Sequence, residues 1–409
     1  MLRTRSESSS LLPWLVVGFG FMALALTFSA RATLGLVMPV WTQEFGWSRS
    51  FVSGAAATAL LVMAAVAPFA GRLVDRRGVR VTLISGLALV GGGCLIVSAT
   101  SNSFVFLIAF SGISAIGFGI VATHVVSTAI ARLFAHDRGL ATGIATSGAT
   151  GGQFLIVPLI AVVLTTFSWR WSFLSIGVGC FLILPFLWRT LATSEAFAAA
   201  PIAGSSSSSL SADIVSIVAK PAFHILFWSF LLCGYTTAGV IETHFLPYAS
   251  FCGFGPVPSA AAYGALSAVN MLGMIAAGWL TDRVNRAVLL GSIYLARGLA
   301  FVILMNVGVD FDMLMAFAVF FGAVDYATVP VTASLVASHL GLRVMGLSMG
   351  LISAGHAVGA ASGAFMGGYL VDLTTRYDWI WLSSLALTVG AGLMAFTLRD
   401  RPEQTVLAA

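Results

Sequence analysis

Residues 71–80 read Gly71-Arg72-Leu73-Val74-Asp75-Arg76-Arg77-Gly78-Val79-Arg80. Four arginines and an aspartate crowd this short segment, whereas the flanking runs near 51–70 and 81–100 carry no charge at all. A charged hairpin between two apolar runs of membrane-spanning length is a loop between membrane helices. A weaker copy, Gly278-Trp279-Leu280-Thr281-Asp282-Arg283, follows at an offset of 207. Gly143-Ile144-Ala145-Thr146-Ser147-Gly148 matches Gly350-Leu351-Ile352-Ser353-Ala354-Gly355 at the same offset, and Pro39 matches Pro247 at 208. Three matches at nearly one spacing mark a duplicated half, and parallel repeats of this kind place a ligand site at their interface near the bilayer midplane.

Outward from the hairpin, the rest of the chain is equally apolar. Of its 409 residues 59% are hydrophobic and only 9% are charged, against about 25% charged in a soluble domain. Such a chain cannot cover itself in water, so lipid is its solvent. Apolar runs fall near 12–40, 51–70, 80–100, 103–131, 139–164 and 171–192, then near 223–248, 260–281, 287–308, 313–336, 344–371 and 379–398. The longer runs must tilt or protrude from a hydrocarbon core about 30 Å thick. Between the two sets lies 193–219, with Gly204 and a serine tract from Ser205 to Ser209, which reads as a flexible linker. The expectation is an all-α membrane protein of twelve helices: a six-helix bundle over 1–192, a linker over 193–219 and a second bundle over 220–409. The first run outlasts the apolar core of a signal peptide and is followed by further spans, so it is read as the first membrane helix.

The net charge of +5 does not point to nucleic acid. Its 20 basic residues are one lysine, Lys220, and nineteen arginines, mostly at the ends of apolar runs. With the N-terminus inside, fifteen of the 20 fall on the inner side: Arg3, Arg5, Arg72, Arg76, Arg77, Arg80, Arg132, Arg138, Arg189, Lys220, Arg283, Arg286, Arg343, Arg399 and Arg401. Only Arg49, Arg170 and Arg376 fall outside, so both termini are expected in the cytoplasm. The four cysteines show no CxxC spacing, and three lie within apolar runs as small hydrophobes. No metal or cofactor is expected. Trp14, Trp41, Trp169, Trp171, Trp379 and Trp381 lie at run ends and read as interfacial anchors.

The decapeptide at 71–80 resembles the G-x-L-x-D-R-x-G-x-R signature of the major facilitator superfamily, in its expected loop between spans 2 and 3. The resemblance implies a gating role for Asp75 and Arg76, and for Arg72 and Arg80 with them, in locking helices together on the cytoplasmic side. Physically, a carboxylate near a helix end can meet the positive dipole of a neighbouring helix N-terminus, a contact available in only one of two states. Arg77 and Arg80 also fit a plain positive-inside anchor. Phe45-Gly46-Trp47-Ser48-Arg49-Ser50, following Gly35-Leu36-Val37-Met38-Pro39, is similar to bacterial members of the monocarboxylate and oxalate–formate porter group. So is Arg138-Gly139-Leu140-Ala141-Thr142-Gly143. That group often holds the substrate carboxylate with an arginine in span 8, whereas here Ala265-Leu266-Ser267-Ala268-Val269-Asn270-Met271-Leu272-Gly273 contains none. An anion site must be built differently.

Charged side chains near a bilayer centre cost about 2.5–3.5 kcal/mol on insertion scales, so they face a cavity or a partner. Arg31 in span 1 suits a carboxylate by bidentate bonding, or it snorkels. Arg297 in span 9 reads as the ion-pair partner of Asp325 in span 10. Glu242 and His244 in span 7 are two apart and cannot share one helix face. Glu242 reads as a proton carrier or as a solvated gate residue. His356 sits among glycines that bring helices close, and His124 stands alone in span 4. The candidate substrate-binding set is Arg31, His124, His244, His356 and Asn270; the candidate proton-coupling or ion-pair set is Glu242, Asp325 and Arg297.

The function expected is secondary transport of a small organic anion, a monocarboxylate, across a bacterial inner membrane by alternating access, coupled to protons or run as exchange. The alternative is export of drugs or amphipathic metabolites by proton antiport. The partners expected are the organic anion, protons and the lipid bilayer, with a monomeric protein and no nucleic acid. HExxH and Walker-type loops are absent, so an enzyme is not expected.

Overall fold

A computed structural model describes residues 4–134, 136–197 and 209–400. Arg3, Arg401, Gly204 and the serine tract through Ser208 lie outside them, as do the side chains of Arg5 and Arg49. Among the described residues, eleven helical segments are long and apolar enough to cross a membrane. One of these, Phe51–Ala99, has 49 residues, about 73 Å of helix at 1.5 Å per residue against a core about 30 Å thick. It divides at Gly78, whose φ of 82° and ψ of 174° are not helical. Only glycine adopts that geometry cheaply, so Gly78 turns the chain between spans 2 and 3, and the spans among the described residues number twelve. The others are span 1, Leu12–Glu44; span 4, Ser103–Leu133; span 5, Arg138–Thr166; and span 6, Trp169–Ala192. Then come span 7, Pro221–Phe251; span 8, Val257–Thr281; span 9, Arg286–Met305; span 10, Phe311–Leu340; span 11, Leu342–Thr374; and span 12, Asp378–Phe396.

Several spans are not regular. Span 4 carries a wide π-helical stretch at Ile108–Ser114 and breaks at Val121 and Ala122. Span 7 has a π-helical stretch at Tyr235–Ile241, ending where Glu242 begins. Span 10 stops at Val324 and resumes at Thr328. Such interruptions are tolerated at membrane depth only where other protein groups satisfy the freed backbone.

One apolar cluster is drawn from residues between Val16 and Leu191, and two more mainly from residues between Ile217 and Leu398. Three tryptophans read as interfacial anchors are instead core. Trp41 and Trp381 are 1% and 0% exposed, and Trp169 is 3% exposed. Trp41 packs edge-on against Trp47, Phe106 and Trp169, and Trp381 against Tyr248. Aromatic runs at helix ends can pack on each other as readily as on lipid headgroups, and the sequence does not separate the two. Trp14, Trp171 and Trp379 are exposed.

The segment expected to be a flexible linker is helical at its far end. Leu210–Val218 forms a helix capped by Ser209, whose Oγ accepts from Ala212 N at 3.1 Å. Ile217 is buried in the second-half core, and Asp213 is buried between arginines.

Candidate functional site

The two halves meet at the end that carries 71–80 and 278–283. Asp75 Oδ1 accepts from Gly346 N at 2.9 Å and Oδ2 from Leu347 N at 2.8 Å. These are orphan amides in the first turn of the helix Met345–Thr374. Arg132 pairs with the same carboxylate and donates to Leu342 O at 3.2 Å. The arrangement repeats in the other direction. Asp282 accepts from Gly139 N at 2.7 Å and Leu140 N at 2.9 Å, in the first turn of Arg138–Thr146. Each half therefore caps a helix of the other, where a negative charge meets the positive helix end. Glycines make the approach possible: a Cβ on Gly71 would strike the Gly346 carbonyl, and one on Gly139 the Gly278 carbonyl.

Arg72 extends this contact through Asp213, which accepts from Arg72 Nη1 at 3.1 Å and from Arg343 Nη1 at 3.0 Å. Arg76 lines the same small pocket. Arg80 lies with its guanidinium 4.7 Å from the Trp188 ring, within the first half.

At mid-depth a narrow cleft lies between spans 5, 7, 8 and 10, with Thr150 and Gln153 facing Glu242, Asn270, Asp325 and Tyr326. Four of its polar residues form one chain. Asn270 Nδ2 donates to Asp325 Oδ2 at 2.8 Å, and Tyr326 N donates to Asn270 Oδ1 at 3.2 Å. The Tyr326 hydroxyl donates to Glu242 Oε1 at 2.8 Å. Asp325 is 4% exposed, and its Oδ1 has no hydrogen-bond partner among the described residues. Arg31 is half-buried, its guanidinium 4.9 Å from the Phe28 ring and within electrostatic reach of Tyr326. No carboxylate among the described residues pairs with it.

The expected ion pair between Arg297 and the Asp325 carboxylate is not formed. Arg297 is fully buried and donates instead to two main-chain carbonyls, Val324 O at 3.0 Å and Asp325 O, and to Cys233 Sγ at 3.0 Å. The reason is the interruption of span 10, which turns free carbonyls toward span 9 while the Asp325 side chain turns toward span 8.

The histidines do not converge on the cleft. His244 is buried, its Nε2 3.0 Å from Ala364 O, and Gly367 packs against its ring. It joins span 7 to span 11, on the face opposite Glu242. His356 packs at a tilt against Phe230, ring centroids 4.9 Å apart, and reaches Cys233. His124 is buried against the Ala67 carbonyl, with Nε2 unpartnered among the described residues. Of the expected substrate set, the structure brings Asn270 into the cleft and Arg31 near it.

The family model for the Major Facilitator Superfamily matches residues 20–343. This chain belongs to the major facilitator superfamily. Its curated relatives include Monocarboxylate transporter 13 of Rattus norvegicus, 26% identical over 401 residues that cover 93% of this chain and 88% of that protein. The uncharacterized MFS-type transporter YcxA of Bacillus subtilis (strain 168) is 24% identical, covering 91% of each chain. Among solved structures, the superfamily proton:xylose symporter XylE superposes with a TM-score of 0.79 at 14% identity, over 95% of this chain and 96% of that one. At that identity the likeness is one of fold.

Within this superfamily chain, the contacts add residues that sequence reasoning did not assign. Asp282 had a signal, the second copy of the decapeptide. Tyr326 and the interruption beside it had a weak one in Pro330, which suits the first turn of a helix, although Pro68, Pro158 and Pro185 lie inside helices here. Asp213, Gln153, Thr150 and Cys233 had none, being unremarkable in an apolar or linker sequence.

Proposed function

We propose that this superfamily transporter is a secondary carrier of a small monocarboxylate, coupled to protons or running as exchange, in a bacterial inner membrane with both termini cytoplasmic. The observation that carries the reading is Arg31, a permanent charge in span 1 with no carboxylate partner among the described residues, beside a cleft whose far wall holds two acids. A buried charge without a partner is costly, and a substrate carboxylate would supply one. Glu242 and Asp325 are the groups able to exchange a proton, so anion and proton occupy neighbouring places. The relatives' name as monocarboxylate transporters supports the same substrate class.

On this reading, residues 1–192 and 220–409 rock as two bundles, the linker between them, and the contacts of Asp75 and Asp282 close the cytoplasmic side while the cleft opens outward. The protein works as a monomer. Arg72 and Arg76 belong to that gate, and Arg80 anchors its own half.

The test is uptake of labelled short-chain 2-hydroxy and 2-oxo monocarboxylates by purified protein in liposomes, under an imposed pH gradient and in exchange mode. Wild type is expected to show saturable uptake in at least one mode, and Arg31→Gln none at unchanged thermal stability, because no acid is orphaned. Arg31→Lys is expected to bind poorly, since an ammonium lacks the guanidinium fork. Equal uptake by wild type and Arg31→Gln removes Arg31 from the site. Proton-driven efflux of lipophilic drugs without monocarboxylate uptake replaces this reading with the exporter.

A further inference from the structure

The interruption of span 10 leaves main-chain acceptors without helical donors. In an unbroken helix Asp325 O would accept from Val329 N, but that amide bonds to Tyr326 O at 3.0 Å instead. A carbonyl freed inside a membrane protein must find another donor. Here the donor is Arg297 Nη2, which takes both Asp325 O and Val324 O, while Nη1 goes to Cys233 Sγ. Asn270 holds the same turn from the other side, through the Asp325 carboxylate and the Tyr326 amide. The turn is thus gripped from behind by span 9 and from the front by span 8. With both grips in place the Asp325 carboxylate and the Tyr326 hydroxyl face the cleft.

We propose that Arg297 is a positioning residue for proton coupling: by binding the main chain of the broken turn it presents Asp325 and Tyr326 to the cleft, without touching substrate or proton itself. This rests on the transport reading above for its functional arm, and on local geometry for its structural arm. Span 9 supplies a residue of this kind because a guanidinium offers several donors in one plane and stays charged when buried. An ammonium at the same place has three donors and could serve both carbonyls from its one nitrogen, but it lacks the second nitrogen of the fork that reaches Cys233 Sγ.

The experiment compares wild type, Arg297→Lys and Arg297→Gln in liposomes. It measures uptake driven by a pH gradient across a range of external pH, and exchange of labelled for unlabelled anion without a gradient. Hydrogen exchange is followed in the peptide covering 320–330. For the variants we expect faster exchange in that peptide, gradient-driven uptake down roughly tenfold or more, and anion-for-anion exchange within about threefold of wild type at similar KM. The pH profile of Arg297→Lys is expected to be displaced from wild type, with partial recovery of rate relative to Arg297→Gln. A merely structural role predicts equal loss of both transport modes in proportion to folded protein, with superimposable pH profiles, and that result overturns the proposal. If Arg297→Gln does not fold, Arg297→Lys carries the comparison alone. Failure of wild type to take up any monocarboxylate sinks the transport reading instead. The hydrogen-exchange arm then decides, and unchanged exchange across 320–330 overturns the positioning.

Discussion

Replacing Asp75 by asparagine removes one charge from the contact that holds the two halves together at the end bearing residues 71–80. The carboxylate accepts from Gly346 N and Leu347 N at 2.9 and 2.8 Å and pairs with Arg132, with only 9% of its side chain exposed. Asparagine keeps one acceptor oxygen, and its amide group must face either a main-chain N–H or the guanidinium, both donors. One charge-assisted bond and the ion pair are lost together. At about 1.5–3 kcal/mol for a hydrogen bond to a charged group, the closed state loses roughly 2–4 kcal/mol. That moves the balance between closed and open forms by about 30- to 900-fold. Arg132 keeps the Val74 and Leu342 carbonyls as acceptors, so the protein is expected to stay folded and to insert normally. The amides that lose their acceptor are themselves the reporters. Hydrogen–deuterium exchange is expected to rise in peptides covering 342–350 and 71–80, with little change in 286–305, and transport is expected to fall at least about tenfold. Wild-type protection at 342–350 together with wild-type transport in a correctly inserted Asp75→Asn protein refutes the reasoning.

Gly71→Ala should act in the same direction without any change of charge, because the added methyl meets the Gly346 carbonyl; faster exchange at 342–350 checks it, and full protection there would show that the halves need not approach so closely. Asp213→Asn loosens a bridge whose Arg343 partner is 41% exposed, so its effect should be nearer 1 kcal/mol. The difference between Asp213→Asn and wild type in exchange at 342–347 should shrink in about 1 M salt, where the screening length is about 3 Å; a salt-independent difference would remove the ionic explanation.

The fold was legible because its causes are written in composition and spacing. Lipid demands long apolar runs, and duplication repeats them at 207 residues, so span count and halves follow from periodicity alone. What periodicity does not carry is where a helix yields. The separation of spans 2 and 3 rests on one glycine, Gly78, and it was visible because charges surround it. The breaks in spans 4 and 10 lie inside apolar runs, and only Pro330 hints at one of them. The helix Leu210–Val218 escaped notice because it follows a serine tract, yet Ile217 and Asp213 each have a buried place in it.

The candidate site divides along the same line. Its charged members could be named from the sequence, since any ionisable group within an apolar run needs a partner. Their partners could not, because a partner depends on which way an irregular turn faces. Arg297 and Asp325 were expected to form an ion pair, but the bond runs from guanidinium to main chain, leaving the carboxylate to Asn270 and the cleft. The halves differ in just this respect. Span 4 also breaks, at Val121 and Ala122, but its break holds no charge, and His124 beyond it packs against Ala67. Each half thus has a break, and among the described residues only that of the second half holds an acid. The first half brings Thr150 and Gln153 to the cleft and Arg31 near it. A cleft assembled from unlike contributions of two related halves changes its polar lining whenever they move apart, which is the physical condition for binding that depends on conformational state.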